Sequence, residues 1–187
     1  MHVLSIVIFV LWLASEILLN VLLRPGKADK QQQDKNSLNV IWLVIIASII
    51  AASQLGYRTY APIASSFFPV HYTGLALIVL GVILRFAAIR ALGKFFTVTV
   101  TIREDHQLKT DGFYAYLRHP SYAASLLSFI GYGVSYNNWY SVAAVVIPVF
   151  IAFSYRISIE EKVLLTQFGD TYRAYMQRTK RLIPFIY

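Results

Sequence analysis

Apolar residues gather along this chain into five runs divided by short polar stretches. The runs cover residues 3–23, 38–57, 71–92, 121–136 and 139–155. The first three approach the ~20 residues a helix needs to cross about 30 Å of hydrocarbon. The fourth and fifth are shorter, and only Asn137 and Asn138 separate them, which predicts a tight helical hairpin. Around that turn stand Tyr132, Tyr136, Trp139 and Tyr140, amphipathic aromatics of the kind that anchor helix ends at a membrane interface. The first run lacks the basic n-region and small-residue cleavage site of a signal peptide, so it reads as a retained span. Between the second and third runs, Pro62, Phe67, Phe68 and Pro69 suit an interfacial loop on the outer side. The pattern predicts an all-α integral membrane protein of about five transmembrane helices, in a single membrane domain over residues 1–187.

The basic residues then assign sides. Arg24, Lys27, Lys30 and Lys35 follow the first run, Arg90, Lys94, Arg103, Lys109 and Arg118 follow the third, and Arg156, Lys162, Arg173, Arg178, Lys180 and Arg181 follow the fifth. Fifteen of the 17 Lys and Arg thus fall on one side of a five-span topology. The positive-inside rule makes that side cytosolic, with the N-terminus outside and the C-terminus in the cytosol.

At 57% hydrophobic residues the chain is richer in apolar side chains than a soluble domain, which averages roughly 45–50%. The net charge of +8 forms no single basic block, so it reads as topology and not as a nucleic-acid footprint. The absence of cysteine excludes disulfides, zinc-thiolate sites and cysteine nucleophiles. Two charges lie inside predicted spans, Glu16 and Arg85, each about 10 Å deep from the cytosolic end of its helix. Either they pair with each other, as equal depth allows, or both snorkel to the interface.

Polar information is concentrated in residues 95–125 and 156–185. Thr97–Ile102 alternates threonine with Val or Ile and suggests a short extended segment, and Asp111-Gly112 marks a turn. In Arg118-His119-Pro120-Ser121-Tyr122 the proline belongs at the first turn of the fourth helix, where its missing N–H costs nothing. Free N–H groups beside it could receive an anionic ligand group. The plainer alternative is a proline-started helix with Arg118 and His119 among lipid headgroups. Arg156 and Glu160 are four apart and share a helix face, with Glu161 adjacent. They form either a solvated salt bridge leading into a basic amphipathic tail on anionic lipid, or a carboxylate pair that binds a cation. An organic ammonium suits such a pair better than a metal, because no further Asp, Glu or His stands at ligand spacing.

The strings HQLKTDGFYAYLRHPSY, EE and FGDTYRAYMQRTKRLIP resemble the C-terminal catalytic region of the isoprenylcysteine carboxyl methyltransferase family, related to the phospholipid methyltransferases. The likeness covers about the last half of the chain, from Leu92 onward. It implies a membrane methyltransferase using S-adenosylmethionine without a soluble Rossmann domain, in keeping with the lack of any Gly-rich dinucleotide fingerprint. Carried over by motif position, the cofactor pocket would comprise His106, Gln107, Leu108, Lys109, Tyr114, His119, Pro120, Ser121 and Tyr122. Glu160 would hold the cofactor's ammonium group, and Glu161 would support that contact. Arg156 would face the methyl-accepting group as the catalytic residue. No metal site is implied. The resemblance departs at Thr99, where family members carry a longer amide, and no role is carried over to it.

An acceptor carboxylate is already a nucleophile at neutral pH and needs no general base. Catalysis would then rest on a dry site that aligns donor and acceptor at roughly 3–3.5 Å. The acceptor would be lipophilic and enter from the bilayer. The alternatives are a phospholipid amine or small thiol, which must lose a proton to a base such as His119 or Tyr122, and a non-enzymatic scaffold whose basic face binds anionic lipid.

Overall fold

The computed structural model describes residues 3–22, 36–93, 108–183 and 186–187. It contains five α-helices: α1 (Val3–Leu22), α2 (Asn36–Arg58), α3 (Phe67–Leu92), α4 (Pro120–Val134) and α5 (Trp139–Arg178), with a 3-10 turn over Gly112–Ala115 ahead of α4. The predicted extended segment Thr97–Ile102 lies outside the described residues, as do His106 and Gln107. Backbone groups in hydrocarbon must be satisfied within their own segment, which is why the apolar runs become helices and not strands.

Four of the helices, α1, α2, α3 and α5, are long and apolar enough to cross a membrane. The fourth predicted crossing is the shortest α-helix. With 15 residues α4 is ~22 Å long, short of a hydrocarbon core. Ten of its 15 residues are buried, between α3 and α5, so its apolar surface is spent on protein and not on lipid. Small residues permit that contact. A Cβ on Gly131 would stand 2.6 Å from the Gly74 carbonyl oxygen and 2.7 Å from the Ile78 nitrogen, both backbone atoms of α3. Close backbone approach through glycine replaces the hydrophobic driving force that helices lack in lipid.

The predicted hairpin between α4 and α5 is present. Asn137 takes a left-handed φ of 49°, and Asn138 caps α5 by accepting from the amides of Tyr140 (2.9 Å) and Ser141 (3.3 Å). The same two asparagines staple the loop after α2: Asn137 Oδ1 accepts from the amides of Ile63 and Ala64, and Asn138 Nδ2 donates to the Thr59 carbonyl. Nearby, His71 is buried between Ser5 Oγ (2.8 Å) and the Ser135 carbonyl (2.6 Å), tying α1 and α3 to the end of α4. The core joins Trp12, Ile45, Leu75, Ile78, Phe129, Val149 and Phe153 from all five helices, with Trp12 packed edge-on against Phe129.

α5 extends the predicted fifth span well past Tyr155. Its 40 residues would measure ~60 Å if straight, about twice a hydrocarbon core. It is not straight: Gly169 interrupts it with φ 52° and ψ −125°, a conformation open to glycine and strained for other residues. A straight helix would hold residues 161 and 179 about 27 Å apart. Arg118 touches both, so the chain doubles back at Gly169.

Candidate active site

The start of α4, the middle of α5 and the segment after α5 converge on one buried polar cluster. Three local features build it. Pro120 opens α4 at its first position, and His119 at the N-cap makes no side-chain capping bond. Residues 180 and 181 then lie alongside residues 116–119 in a short parallel bridge: the Lys180 amide donates to the Tyr116 carbonyl (3.1 Å), while the Arg118 and His119 amides donate to the carbonyls of Lys180 (2.8 Å) and Arg181 (3.1 Å). Finally, Tyr114 in the 3-10 turn is clasped from both sides. Its hydroxyl donates to the Ala88 carbonyl of α3 (3.2 Å), and its own carbonyl accepts from the Tyr175 hydroxyl (2.6 Å).

At the centre the two adjacent glutamates have different surroundings. Glu161 is 3% exposed and both its oxygens are engaged by guanidinium groups: Oε1 by Arg118 Nε (2.7 Å), Oε2 by Arg181 Nε (2.8 Å) and Nη2 (2.6 Å). Glu160 is 19% exposed. Its Oε1 accepts from the Tyr122 hydroxyl (2.6 Å) and from Arg156 Nε (3.3 Å), and its Oε2 lies 3.4 Å from His119 Nδ1. An ionised carboxylate offers about four lone-pair sites, so Glu160 keeps capacity for a further donor. The two carboxylates therefore differ in how far their oxygens are engaged. Glu160 is open, and Glu161 is a strut between two arginines.

Arg156 is fully buried, which rules out the solvated-pair alternative for its contact with Glu160. Arg118 and His119 are also enclosed, at 8% and 7% side-chain exposure, so they do not rest among headgroups. His119 Nε2 lies 3.5 Å from Glu161 Oε1, at the outer limit of a hydrogen bond, and this buried nitrogen has no closer partner. Burial pulls the His119 pKa down, yet its contacts with Glu160 and Glu161 outweigh that and raise it above the ordinary value.

Of the predicted site residues, the structure brings His119, Pro120, Ser121, Tyr122, Arg156, Glu160 and Glu161 together. Tyr114 stands at the edge as a brace, its hydroxyl committed to the main chain of α3. Lys109 turns instead to Asp111 (2.8 Å), and Leu108 adjoins it on the same loop. The motifs place Arg118 in the pocket-forming stretch but assign neither Arg118 nor Arg181 its contact with Glu161. No periodicity links positions 118, 161 and 181, so only the fold could pair them.

The arrangement fits S-adenosylmethionine on three observations. Glu160 can receive an ammonium group. The start of α4 has no side-chain cap, leaving amides for a carboxylate. His119 Nε2 is a buried nitrogen still lacking a partner. The bundle of apolar helices with this cluster at the junction of α4 and α5 belongs to the class of membrane phospholipid methyltransferases, whose family matches residues 69–171. Similar proteins include protein-S-isoprenylcysteine O-methyltransferase B of Arabidopsis thaliana, 41% identical over 60% of this chain and 58% of that protein. The protein-S-isoprenylcysteine O-methyltransferase of Schizosaccharomyces pombe is 31% identical over 81% of this chain and 70% of its own length. Among solved structures, the eukaryotic intramembrane Ras methyltransferase (isoprenylcysteine carboxyl methyltransferase) superposes with a TM-score of 0.66 at 27% identity. That match covers 96% of this chain and 67% of the other. The chain belongs to the isoprenylcysteine carboxyl methyltransferase family within that class.

Proposed function

We propose that this chain is an S-adenosylmethionine-dependent membrane methyltransferase that esterifies the carboxylate of a lipophilic acceptor of the isoprenylcysteine type. The observation that carries the reading is the division of labour between Glu160, open to a cation, and Glu161, locked between Arg118 and Arg181. A purely structural ion-pair network would leave neither carboxylate with spare capacity at an accessible edge.

In this reading Glu160 holds the donor's ammonium group, and the α4 start (His119, Pro120, Ser121, Tyr122) receives its carboxylate. When bound, S-adenosylmethionine supplies an electrophilic methyl group on a sulfonium. Tyr122 and Arg156 fix the Glu160 carboxylate, so its orientation is set before the ligand arrives. Arg156 also serves as the guanidinium that faces the acceptor carboxylate, where its planar fork suits two oxygens. That acceptor is ionised at neutral pH, so no residue needs to take a proton. The buried surroundings keep out water, which would stabilise the separated charges better than the transition state. By motif position Leu108, Lys109 and Tyr114 also belong to the donor site in this reading. The chain forms one membrane domain, with the catalytic region (residues 93–125 and 156–187) cytosolic and the N-terminus outside.

The test is a radiolabelled methyl-transfer screen in nanodiscs across prenylcysteine analogues, phospholipids and small thiols. Base-stable product on phospholipid amines alone would move the assignment to the amine reading. Calorimetry that detects no S-adenosylmethionine binding at all would sink the enzyme reading and leave the lipid-binding scaffold.

A further inference from the structure

α1 contributes none of the described residues of the polar cluster, and Glu16 lies outside residues 69–171, which match the phospholipid methyltransferase family. It nevertheless reaches α4, the helix that opens the site, through Ser125 and Arg85. Glu16 Oε2 pairs with Arg85 Nη2 of α3 at 3.1 Å, so the two intramembrane charges do meet. Neither stops there. Arg85 Nη1 donates to the Ser121 carbonyl (3.2 Å), and Ser125 Oγ donates to Glu16 Oε1 (3.4 Å). Ser121 and Ser125 are the beginning and end of one turn of α4. That turn also carries Tyr122, whose hydroxyl donates to Glu160 at 2.6 Å.

Charges enclosed at this depth are costly, with the side chains of Glu16 and Arg85 only 10% and 14% exposed. A pair serving only to glue α1 to α3 could satisfy itself. This one extends to a third helix at two points, and Arg85 Nε remains buried without a partner. That geometry sacrifices a hydrogen bond within the pair while gaining the Ser121 contact. We propose that Glu16 and Arg85 are positioning residues that hold the first turn of α4 in register, and through Tyr122 set the Glu160 carboxylate for the donor's ammonium group. The proposal rests on the methyltransferase reading for its ligand, but the register of α4 is measurable without any ligand.

Two readouts on the same variants separate the possibilities. The first is hydrogen exchange at the amides of residues 122–125 in ligand-free protein. The second is S-adenosylmethionine affinity by calorimetry, with KM for donor and acceptor measured separately. Glu16→Gln and Arg85→Gln are expected to speed exchange at 122–125 while leaving α2 unchanged. They should weaken donor binding about tenfold, the scale of one hydrogen bond to a charged group. Acceptor KM should stay within about twofold. The exchanged pair Glu16→Arg with Arg85→Glu is decisive. It restores the ion pair, and with it the thermal midpoint, but a glutamate at 85 cannot donate to the Ser121 carbonyl, so donor affinity stays low. If the exchanged pair rescues donor affinity along with stability, the pair is structural only and the proposal is overturned. Unchanged exchange at 122–125 in the single variants overturns it as well. Should those variants fail to fold, Ser125→Ala removes just the bond to Glu16 Oε1, and unaltered exchange and affinity there would count equally against it. Wild-type protein that binds no donor, with exchange at 122–125 still sensitive to Glu16, would instead condemn the methyltransferase reading and leave the positioning contact standing.

Discussion

Removing the Arg118 side chain tests whether the strut under the site is what holds the segment after α5. In the native protein Arg118 Nε donates to Glu161 Oε1 at 2.7 Å, and its Nη1 donates to the carbonyls of Met176 (3.2 Å) and Thr179. Side-chain exposures of 8% and 3% mean that solvent screens the pair little, so no surface discount applies. Breaking one partner of a buried pair costs about 3–5 kcal/mol, because the remaining charge stays enclosed. Arg181, at 29% exposure, still reaches Glu161 from the other side and keeps the cost of Arg118→Ala toward the lower end, about 3 kcal/mol. Arg118→Lys keeps a charge but cannot serve a carboxylate and two carbonyls from one planar fork, so roughly half of that loss should remain. The assay is denaturant-induced unfolding in detergent micelles, together with hydrogen exchange read by segment. Exchange should rise over residues 170–183, which Arg118 ties down, and stay native across the Trp12–Phe129 core. The double variant Arg118→Ala with Glu161→Ala should lose less than the two singles added together, by about 1–3 kcal/mol. A cost below about 1 kcal/mol for Arg118→Ala, with exchange over 170–183 unchanged, would refute the strut.

Glu160→Gln should weaken S-adenosylmethionine binding by about ten- to a hundredfold in calorimetry, since a hydrogen bond to a charged group is worth about 1.5–3 kcal/mol. Arg156→Lys should lower turnover on a carboxylate acceptor far more than it lowers donor affinity, which separate titrations of the two substrates would reveal. The His119 pKa is raised on folding, so the stability it contributes is complete below its ordinary 6.5 and disappears as pH climbs through the raised value. The thermal midpoint should accordingly fall on that limb, and His119→Gln should remove it. Gly131→Val would force a side chain against the Gly74 carbonyl and the Ile78 amide of α3, costing at least about 1–3 kcal/mol in the same unfolding assay.

Much of the architecture could be read along the chain. Helices α1 to α3 and the Asn137–Asn138 hairpin follow from runs of apolar residues and from helix-cap chemistry, both of which depend on near neighbours. The Glu16–Arg85 pair was legible as one of two options because equal depth is a property of position along each helix. Motif resemblance gathered His119 through Tyr122 with Arg156 and Glu160, and those residues do meet. The loop residues Leu108 and Lys109 are carried over on the same basis, and Lys109 pairs with Asp111 at an exposed position.

What the sequence determined by itself was a membrane helix bundle with a segregated polar region, because hydrophobicity and charge sorting add up residue by residue. Tertiary structure alone decided that α4 buries most of its surface between α3 and α5, that α5 reverses at Gly169, and that two neighbouring glutamates have different surroundings. Each of those outcomes depends on how close residues far apart in sequence come, and on how much water that closeness excludes. Burial and distance set the energy of a charge, and neither is written at any single position.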